Sequence, residues 1–116
     1  MQIKNYPEIE ATRVDNDQVK GVAGRVVIGK RDGAENFCMR VFEMAPGGHT
    51  PKHVHDWEHE IFVHSGEGEV FGNGAWNAFK AGNVVFVPCN EEHQIRNNGS
   101  EPLTFVCLVP ATAPEL

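Results

Sequence analysis

The segment HTPKHVHDWEHE, residues 49–60, holds four histidines, one aspartate and two glutamates beside a single tryptophan. In a solvated polar loop this spacing would carry no meaning, whereas in a metal site it would be dictated by coordination geometry. On an extended strand, side chains two residues apart project from the same face. His53 and His55 are therefore placed to bind one metal ion together, and other residues must complete the site.

Two neighbouring residues compete for the next position in such a site. His59 has the same strand parity as the first two histidines, so it joins their face if the chain stays extended over 56–58. A tight turn at Trp57 would break that parity and bring Glu60 inward instead. A fourth ligand must come from elsewhere in the chain. The only other histidines are His49, His64 and His93.

The first stretch with a family resemblance spans residues 47–66. Gly47 is followed after five residues by His53-Val54-His55, after three more by His59, and after six more by Gly66. This spacing resembles the first motif of the cupin superfamily, which carries a glutamate where this chain has a histidine. A bare HxH would be weak evidence, so a second motif is needed.

The second stretch spans residues 82–97 and resembles the second cupin motif. It supplies Gly82, Pro88, His93 and Asn97 at the family's spacing, with asparagine at position 90 where the family has glycine. Both motifs occur in the right order, so the chain is identified as similar to a small, single-domain bacterial cupin of the conserved-barrel type. The resemblance implies an all-β fold, the double-stranded β-helix or jelly-roll barrel.

The resemblance also implies a ligand set for one divalent metal. In cupins, two histidines, a glutamate and a later histidine coordinate the ion, which carries over to His53, His55 and His93. The family's glutamate position falls on His59 when it is counted back from Gly66. It falls on Glu60 when the longer of the family's two gaps after His55 is used. Spacing and parity favour His59, and the segment HxHxxxHE is similar to small bacterial cupins with four histidine ligands.

Such a site would have a distinctive chemistry. Four neutral imidazoles leave the +2 charge of the ion uncompensated, which makes it a strong Lewis acid. Six-coordination leaves two positions open for a ligand with two oxygens, and imidazole accepts Mn, Fe, Co, Ni, Cu or Zn. We expect a metal-dependent enzyme, an oxidoreductase of the dioxygenase type, acting on a small organic substrate. The alternatives are a non-catalytic ligand-binding or sensory cupin, and a sugar isomerase, epimerase or lyase.

Four further residues are candidates for roles beside the metal. Glu60, if it is not a ligand, would act as a catalytic residue that orients a ligand or accepts a proton, and otherwise be a surface carboxylate. Trp57 would pack across the barrel mouth, and Cys107 would line the cavity as a thiol. Arg40 would pair with a substrate carboxylate if it pointed inward, although an outward, solvated side chain is the expectation.

The elements that must position these residues are short apolar or alternating runs separated by Gly, Pro, Asn or Asp, the pattern of an all-β sandwich or barrel. Asn73-Gly74 is the signal for a two-residue hairpin with positive φ at both positions, and Pro46-Gly47-Gly48 marks another turn. Closure into a barrel avoids long exposed strand edges. The expected strands are 24–31, 36–45, 60–65, 68–72, 83–88, 93–97 and 102–110.

Length and composition set the remaining expectations. With 116 residues, 41% of them hydrophobic, the sequence predicts one compact domain over residues 1–116. A net charge of −6 disfavours nucleic-acid and membrane partners. No apolar run suits a signal peptide or a spanning helix, and the three scattered cysteines suit reduced thiols, so we expect a cytoplasmic protein. The resemblance also implies a homodimer that binds a small-molecule substrate.

Overall fold

The computed structural model describes residues 1–116 and confirms the predicted all-β class, since its only helical elements are two 3₁₀ turns, Tyr6–Glu8 and Lys30–Asp32. No helix in it is long and apolar enough to cross a membrane. The nine strands are β1 (Thr12–Val14), β2 (Lys20–Ile28), β3 (Phe37–His49), β4 (His59–Ser65), β5 (Glu67–Gly72), β6 (Ala75–Lys80), β7 (Val84–Val87), β8 (Gln94–Arg96) and β9 (Leu103–Pro110).

The strands form one antiparallel sheet that curls on itself. Its order is β6-β5-β8-β3-β9-β4-β7, and β2 pairs with β3 while β1 pairs with β2. Curling turns one face inward, where the apolar residues of the strands are removed from water. Met44, Leu103 and Val63 are fully buried there. The predicted jelly-roll barrel is therefore the fold of this chain.

Strand β3 is longer than predicted because the sequence Pro46-Gly47-Gly48 does not end it. The prediction of a turn there was wrong: the chain bends within the strand, and Gly47 takes a φ of 81°, which a residue without a side chain adopts at little cost. Before the bend, Phe37 to Met44 pair with β9, and after it His49 pairs with Arg96 of β8. β3 therefore pairs with β9 on one side of the bend and with β8 on the other.

Asn97, the last residue of the second motif, holds this bend in place. Its backbone bonds to that of Gly47 and Gly48, with both distances 2.9 Å. Its side-chain amide donates to the carbonyl oxygens of Met44 and Glu101 at 3.0 and 2.8 Å, and its Oδ1 accepts from a nearby backbone N–H. Only 1% of the residue is exposed. The motif's asparagine is therefore a structural element that fixes the strand beside the histidines.

The hairpin predicted at Asn73-Gly74 is confirmed. The two residues have φ angles of 53° and 73°, and Gly72 pairs with Ala75 directly across the turn. The predicted hairpin implied its second arm, β6, although no strand range was given for it. The short strand β1 was not expected. The other strands differ from prediction only at their ends, as in β2, which begins at Lys20 rather than at residue 24.

Candidate metal centre

Two distant segments meet at His53 and His93. Their backbones exchange two hydrogen bonds, each 3.1 Å long, and form an isolated antiparallel bridge. Around this bridge, residues 50–58 form no strand, so the predicted strand parity is not what aligns His53 with His55. The segment is held instead by bonds to the facing chain, such as that from the Asn90 N–H to the His55 carbonyl at 2.7 Å. Pairing between segments, rather than local alternation, brings the rings together.

His59 enters the group from the first position of β4. The chain bends at Asp56 and Trp57, yet it returns to an extended path with the His59 ring inside the barrel and Glu60 exposed outside. Since neighbouring residues on a strand face opposite ways, Glu60 cannot share the face of His59. The structure therefore does not bring Glu60 to the histidines; it lies on the outer sheet face beside Phe62 and Phe86.

The structure brings four predicted histidines together. Their ligand atoms all lie within 4.8 Å of one another. The ring centroids of His53 and His93 are 4.4 Å apart, and those of His59 and His93 are 5.0 Å apart. The four members, here called the histidine cluster, are His53, His55, His59 and His93.

Backbone carbonyls orient three of the four rings. In His53, His55 and His93, the Nδ1 atom lies 2.8, 2.9 and 2.9 Å from the carbonyl oxygen of a residue two positions away in the chain. A carbonyl only accepts hydrogen bonds, so each Nδ1 must carry the proton. Each Nε2 is then left with a free lone pair, which is the tautomer that a metal ligand requires.

The fourth ring is oriented by sulfur. Nδ1 of His59 lies 3.0 Å from Sγ of Cys107, and its Nε2 lies 2.5 Å from Nε2 of His55. Two ring nitrogens at this distance repel each other unless a proton or another cation shares their lone pairs. The short approach is therefore consistent with a site that gathers lone pairs around a positive ion.

Burial favours the neutral form of three of the rings. It lowers the pKa of His59 from 6.5 to about 3, with the positive charges of His55 and Arg40 adding to the effect. Burial likewise lowers the pKa of His55 and of His93, partly offset by their bonds to backbone carbonyls. A metal ion therefore does not need to displace protons from these three rings at neutral pH.

An unsatisfied atom tests whether the cluster fits a metal. His93 is 5% exposed, and its Nε2 is buried without a hydrogen-bond partner. A buried polar atom without a partner is costly and rare in native proteins. A divalent transition metal bound by the cluster would satisfy this atom, so the residues fit the group that the family resemblance implies.

Trp57 supports the cluster from the side. Its indole stacks on the ring of His55 at 4.2 Å with an interplanar angle of 3°, and its carbonyl accepts the bond from Nδ1 of that histidine. It also packs against the apolar core. Trp57 therefore positions one ring of the histidine cluster, and it is not among the residues that line the neighbouring cavity.

A cavity of about 290 Å³ opens beside the cluster. His53, His59 and His93 contribute to its wall, and apolar side chains form most of the remainder. Cys107 also lies in its wall. Strand β1 and the end of the chain also contribute, which no pattern in the sequence indicated. The other lining residues that matter here are Val14, Val22, Phe42, Ile95, Phe105 and Leu116.

The expectation of an outward Arg40 was wrong. The residue is 7% exposed and lines the cavity, with Nη2 donating to Sγ of Cys107 at 3.0 Å. Its position in β3 explains this, because Cys38 and Met44 share its parity and are buried on the same inner face. That alternation was the available signal, but the charge of the guanidinium argued against it.

The remaining two histidines lie apart from the cluster. His49 ends β3, and its Nδ1 lies 3.1 Å from the carbonyl of Thr50. His64 is exposed on β4, where its ring meets that of Tyr6 edge-on at 6.3 Å. These two residues provide natural controls for any experiment on the cluster.

Comparisons with known proteins support the fold described above. The Cupin_2 family, described as "Cupin domain", matches residues 40–109, which is more than half of the chain. The polyketide cyclase RemF from Streptomyces resistomycificus has a structure with a TM-score of 0.91 at 29% sequence identity, covering 98% of this chain and 82% of that one.

Two curated relatives match smaller parts of the chain. A 1-methylthio-D-xylulose 5-phosphate methylsulfurylase of Rhodospirillum rubrum is 33% identical over 73 residues, covering 63% of this chain and 47% of the relative. An oxalate-binding protein of Thermotoga maritima is 35% identical over 68 residues, covering 58% and 56%. The chain thus spans about half the length of the curated relatives it matches.

Proposed function

The chain belongs to the cupin family, and we propose that it is a metal-dependent enzyme that acts on a small, largely apolar organic molecule. One divalent transition metal would be held by His53, His55, His59 and His93. The observation that carries this proposal is the convergence of four Nε2 atoms, one of them buried and unpartnered, with three rings fixed by backbone carbonyls.

The ligand set suggests what the metal would supply. Neutral imidazoles do not offset its charge, so the bound ion would act as a Lewis acid towards oxygen donors of the substrate. Imidazole accepts Mn, Fe, Co, Ni, Cu or Zn, and the donor set does not select among them. The protein's own contribution is to hold the rings in the right tautomer and to keep the adjoining cavity apolar.

The cavity wall supports one class of reaction over another. None of the lining side chains is a carboxylate. A sugar isomerase or epimerase needs a protein base to move a proton. The predicted candidate, Glu60, faces away, and the histidines of the cavity wall would be engaged by the metal. An oxidation by dioxygen needs no such base, so we propose a dioxygenase-type oxidoreductase.

Oxygen uptake tests this reaction class. The protein loaded with Fe(II) or Mn(II) should consume O₂ with at least one member of a panel of diketones, phenols and hydroxy acids. The His93→Ala variant should not, whereas His64→Ala should retain the activity because that ring lies outside the cluster. A silent electrode for the whole panel, with metal bound, would count against an oxygenase.

A non-catalytic binding role is the second candidate. It is favoured by the relative from Thermotoga maritima, which is named an oxalate-binding protein. Mass spectrometry decides between the two, since a binder retains its ligand unchanged after prolonged incubation with metal and air. An enzyme converts it to a product of different mass.

The homodimer also remains a proposal. The outer face of the sheet exposes Phe62, Val84 and Phe86, which are 46%, 76% and 59% accessible. An apolar patch of this kind on a small protein favours contact with another surface, and we propose a second copy of the chain. Light scattering at micromolar concentration should report a dimer, and a monomer would contradict the proposal.

A further inference from the structure

Arg40 is a buried cation without a carboxylate partner. The four ion pairs of the structure involve other residues. The Arg40 Nε atom is buried and makes no hydrogen bond, Nη1 reaches only the Glu115 carbonyl at 3.5 Å, and Nη2 donates to Sγ of Cys107. The guanidinium thus retains unused donors on the wall of the cavity.

Such an arrangement is unfavourable unless an anion completes it. Arginine keeps its proton in proteins, so it cannot escape the cost of burial by becoming neutral. The face of Phe42, whose centroid lies 5.1 Å from the guanidinium carbon, offsets part of that cost. A metal ion in the histidine cluster would add further positive charge, since its ligands are neutral.

We propose that Arg40 binds an acidic group of the substrate and so selects organic anions. The inference rests on the proposed metal site: oxygen donors at one end of the molecule would meet the metal, and the acid at the other end would meet the guanidinium. Sγ of Cys107 lies between the two sites, in contact with both Arg40 and His59. The substrate must therefore be long enough to span this separation.

The walls define the body of such a molecule. The rings of Phe42 and Phe105 stack at 5.5 Å, and Val22 and Ile95 line the same space. A cavity of about 290 Å³ is at the small end of ligand sites. A single aromatic or otherwise apolar ring, with oxygen donors on one side and a carboxylate on the other, suits this volume and its charges.

A matched pair of probes tests the proposal. We would titrate the Zn(II)-loaded protein with 3,4-dihydroxybenzoate and with 3,4-dihydroxybenzamide, using calorimetry. Both carry the same pair of phenolic oxygens, but only the first has a negative group opposite them. A charge-assisted bond to arginine should make the acid bind at least about tenfold more tightly than the amide.

Three variants test whether Arg40 causes the preference for the acid over the amide. Arg40→Met should abolish it, and Arg40→Lys should retain part of it because the charge remains without the planar fork. Arg13→Met is the matched control. Arg13 is exposed on β1 and does not line the cavity, although the residues on either side of it do. The preference for the acid should therefore persist in this variant. A crystal structure of the wild-type protein with 3,4-dihydroxybenzoate should place the carboxylate at Arg40. This measurement tests the proposal even if Arg40→Met does not fold.

The outcomes separate this inference from the proposed function. Failure to bind zinc would overturn the metal site. Zinc binding with equal affinity for acid and amide, an unchanged preference in Arg40→Met, or a carboxylate seated on the metal would each overturn the role of Arg40 alone. The expected ratio together with its loss in Arg40→Met would support both.

Discussion

The Nδ1 atom of His59 lies 3.0 Å from Sγ of Cys107, so a buried thiol supports one ring of the histidine cluster. The other three rings use backbone carbonyls for the same purpose. The sulfur also accepts a hydrogen bond from Arg40, and burial raises the pKa of the thiol. Cys107 therefore links the histidine cluster to the cation on the cavity wall.

Replacing this thiol should weaken metal binding. In Cys107→Ala, the His59 ring loses the partner of its Nδ1, and we expect zinc affinity to fall about tenfold, as is typical when a residue supporting a metal ligand is removed. Competition with a chromophoric chelator measures the change. Cys38→Ala removes another buried thiol, 1% exposed, without an imidazole contact, and should leave the affinity unaltered. Equal effects of both variants would show that Cys107 acts only through packing.

The metal-free protein should lose stability in mild acid. In the unfolded chain His59 binds a proton below pH 6.5, whereas in the folded chain it does so only near pH 3. The unfolded state therefore binds more protons between these values, and the free energy of unfolding decreases as the pH falls through this range. The lowered pKa values of His55 and His93 act in the same direction.

Urea unfolding in the presence of a chelator, from pH 7 down to about pH 4.5, measures this slope. Asp32, whose pKa is lowered by the bond from Lys4, contributes only below its ordinary value of 3.8 and does not interfere. His59→Gln should show a shallower slope, and His64→Gln should show the wild-type slope. A wild-type stability that stays constant over the range would contradict the buried, neutral state of His55, His59 and His93.

Tryptophan fluorescence should report metal binding selectively. Trp57 stacks on His55, whereas Trp76 lies on β6 against Arg96 and Phe71. We expect Co(II), whose unpaired electrons quench nearby fluorophores, to reduce emission strongly in Trp76→Phe, which retains Trp57. The reverse variant, Trp57→Phe, should be quenched much less. Similar quenching of both variants would place the bound ion elsewhere.

Asn97 should matter for stability rather than for chemistry. Removal of its side chain breaks three hydrogen bonds in a fully buried setting, so Asn97→Ala should destabilise the fold by about 3 kcal/mol in urea unfolding. Its exposed neighbour provides the control, since Asn98→Ala should change stability by less than about 0.5 kcal/mol. A loss below about 1 kcal/mol for Asn97→Ala would mean that the bend in β3 is held by its backbone contacts alone.

The sequence was most informative where local chemistry decides the structure. The Asn73-Gly74 turn followed from the conformational preference of those two residues, and the strands followed from apolar runs between turn residues. The bend within β3 was not predictable in this way, because Gly47 and Gly48 permit a turn as readily as a bent strand. Pairing with β8 and β9, which is non-local, selects the bent strand.

The residues of the histidine cluster were predictable from the sequence, but the groups that orient their rings were not. The spacing of His53, His55 and His59 indicated one group, although residues 50–58 do not form the extended strand that was expected to align them. The neighbours of the rings could not be derived, since the contact between His59 and Cys107 joins residues far apart in the chain. Arg40 was misjudged because its charge outweighed the strand parity that places it inside.

The most direct test of the central claim is anomalous diffraction at the zinc absorption edge, from crystals of the full chain grown with zinc. We expect one strong peak among the Nε2 atoms of His53, His55, His59 and His93, about 2.0–2.1 Å from each. A map without a peak at that position, with the ring of His93 turned away from the other three, would contradict it.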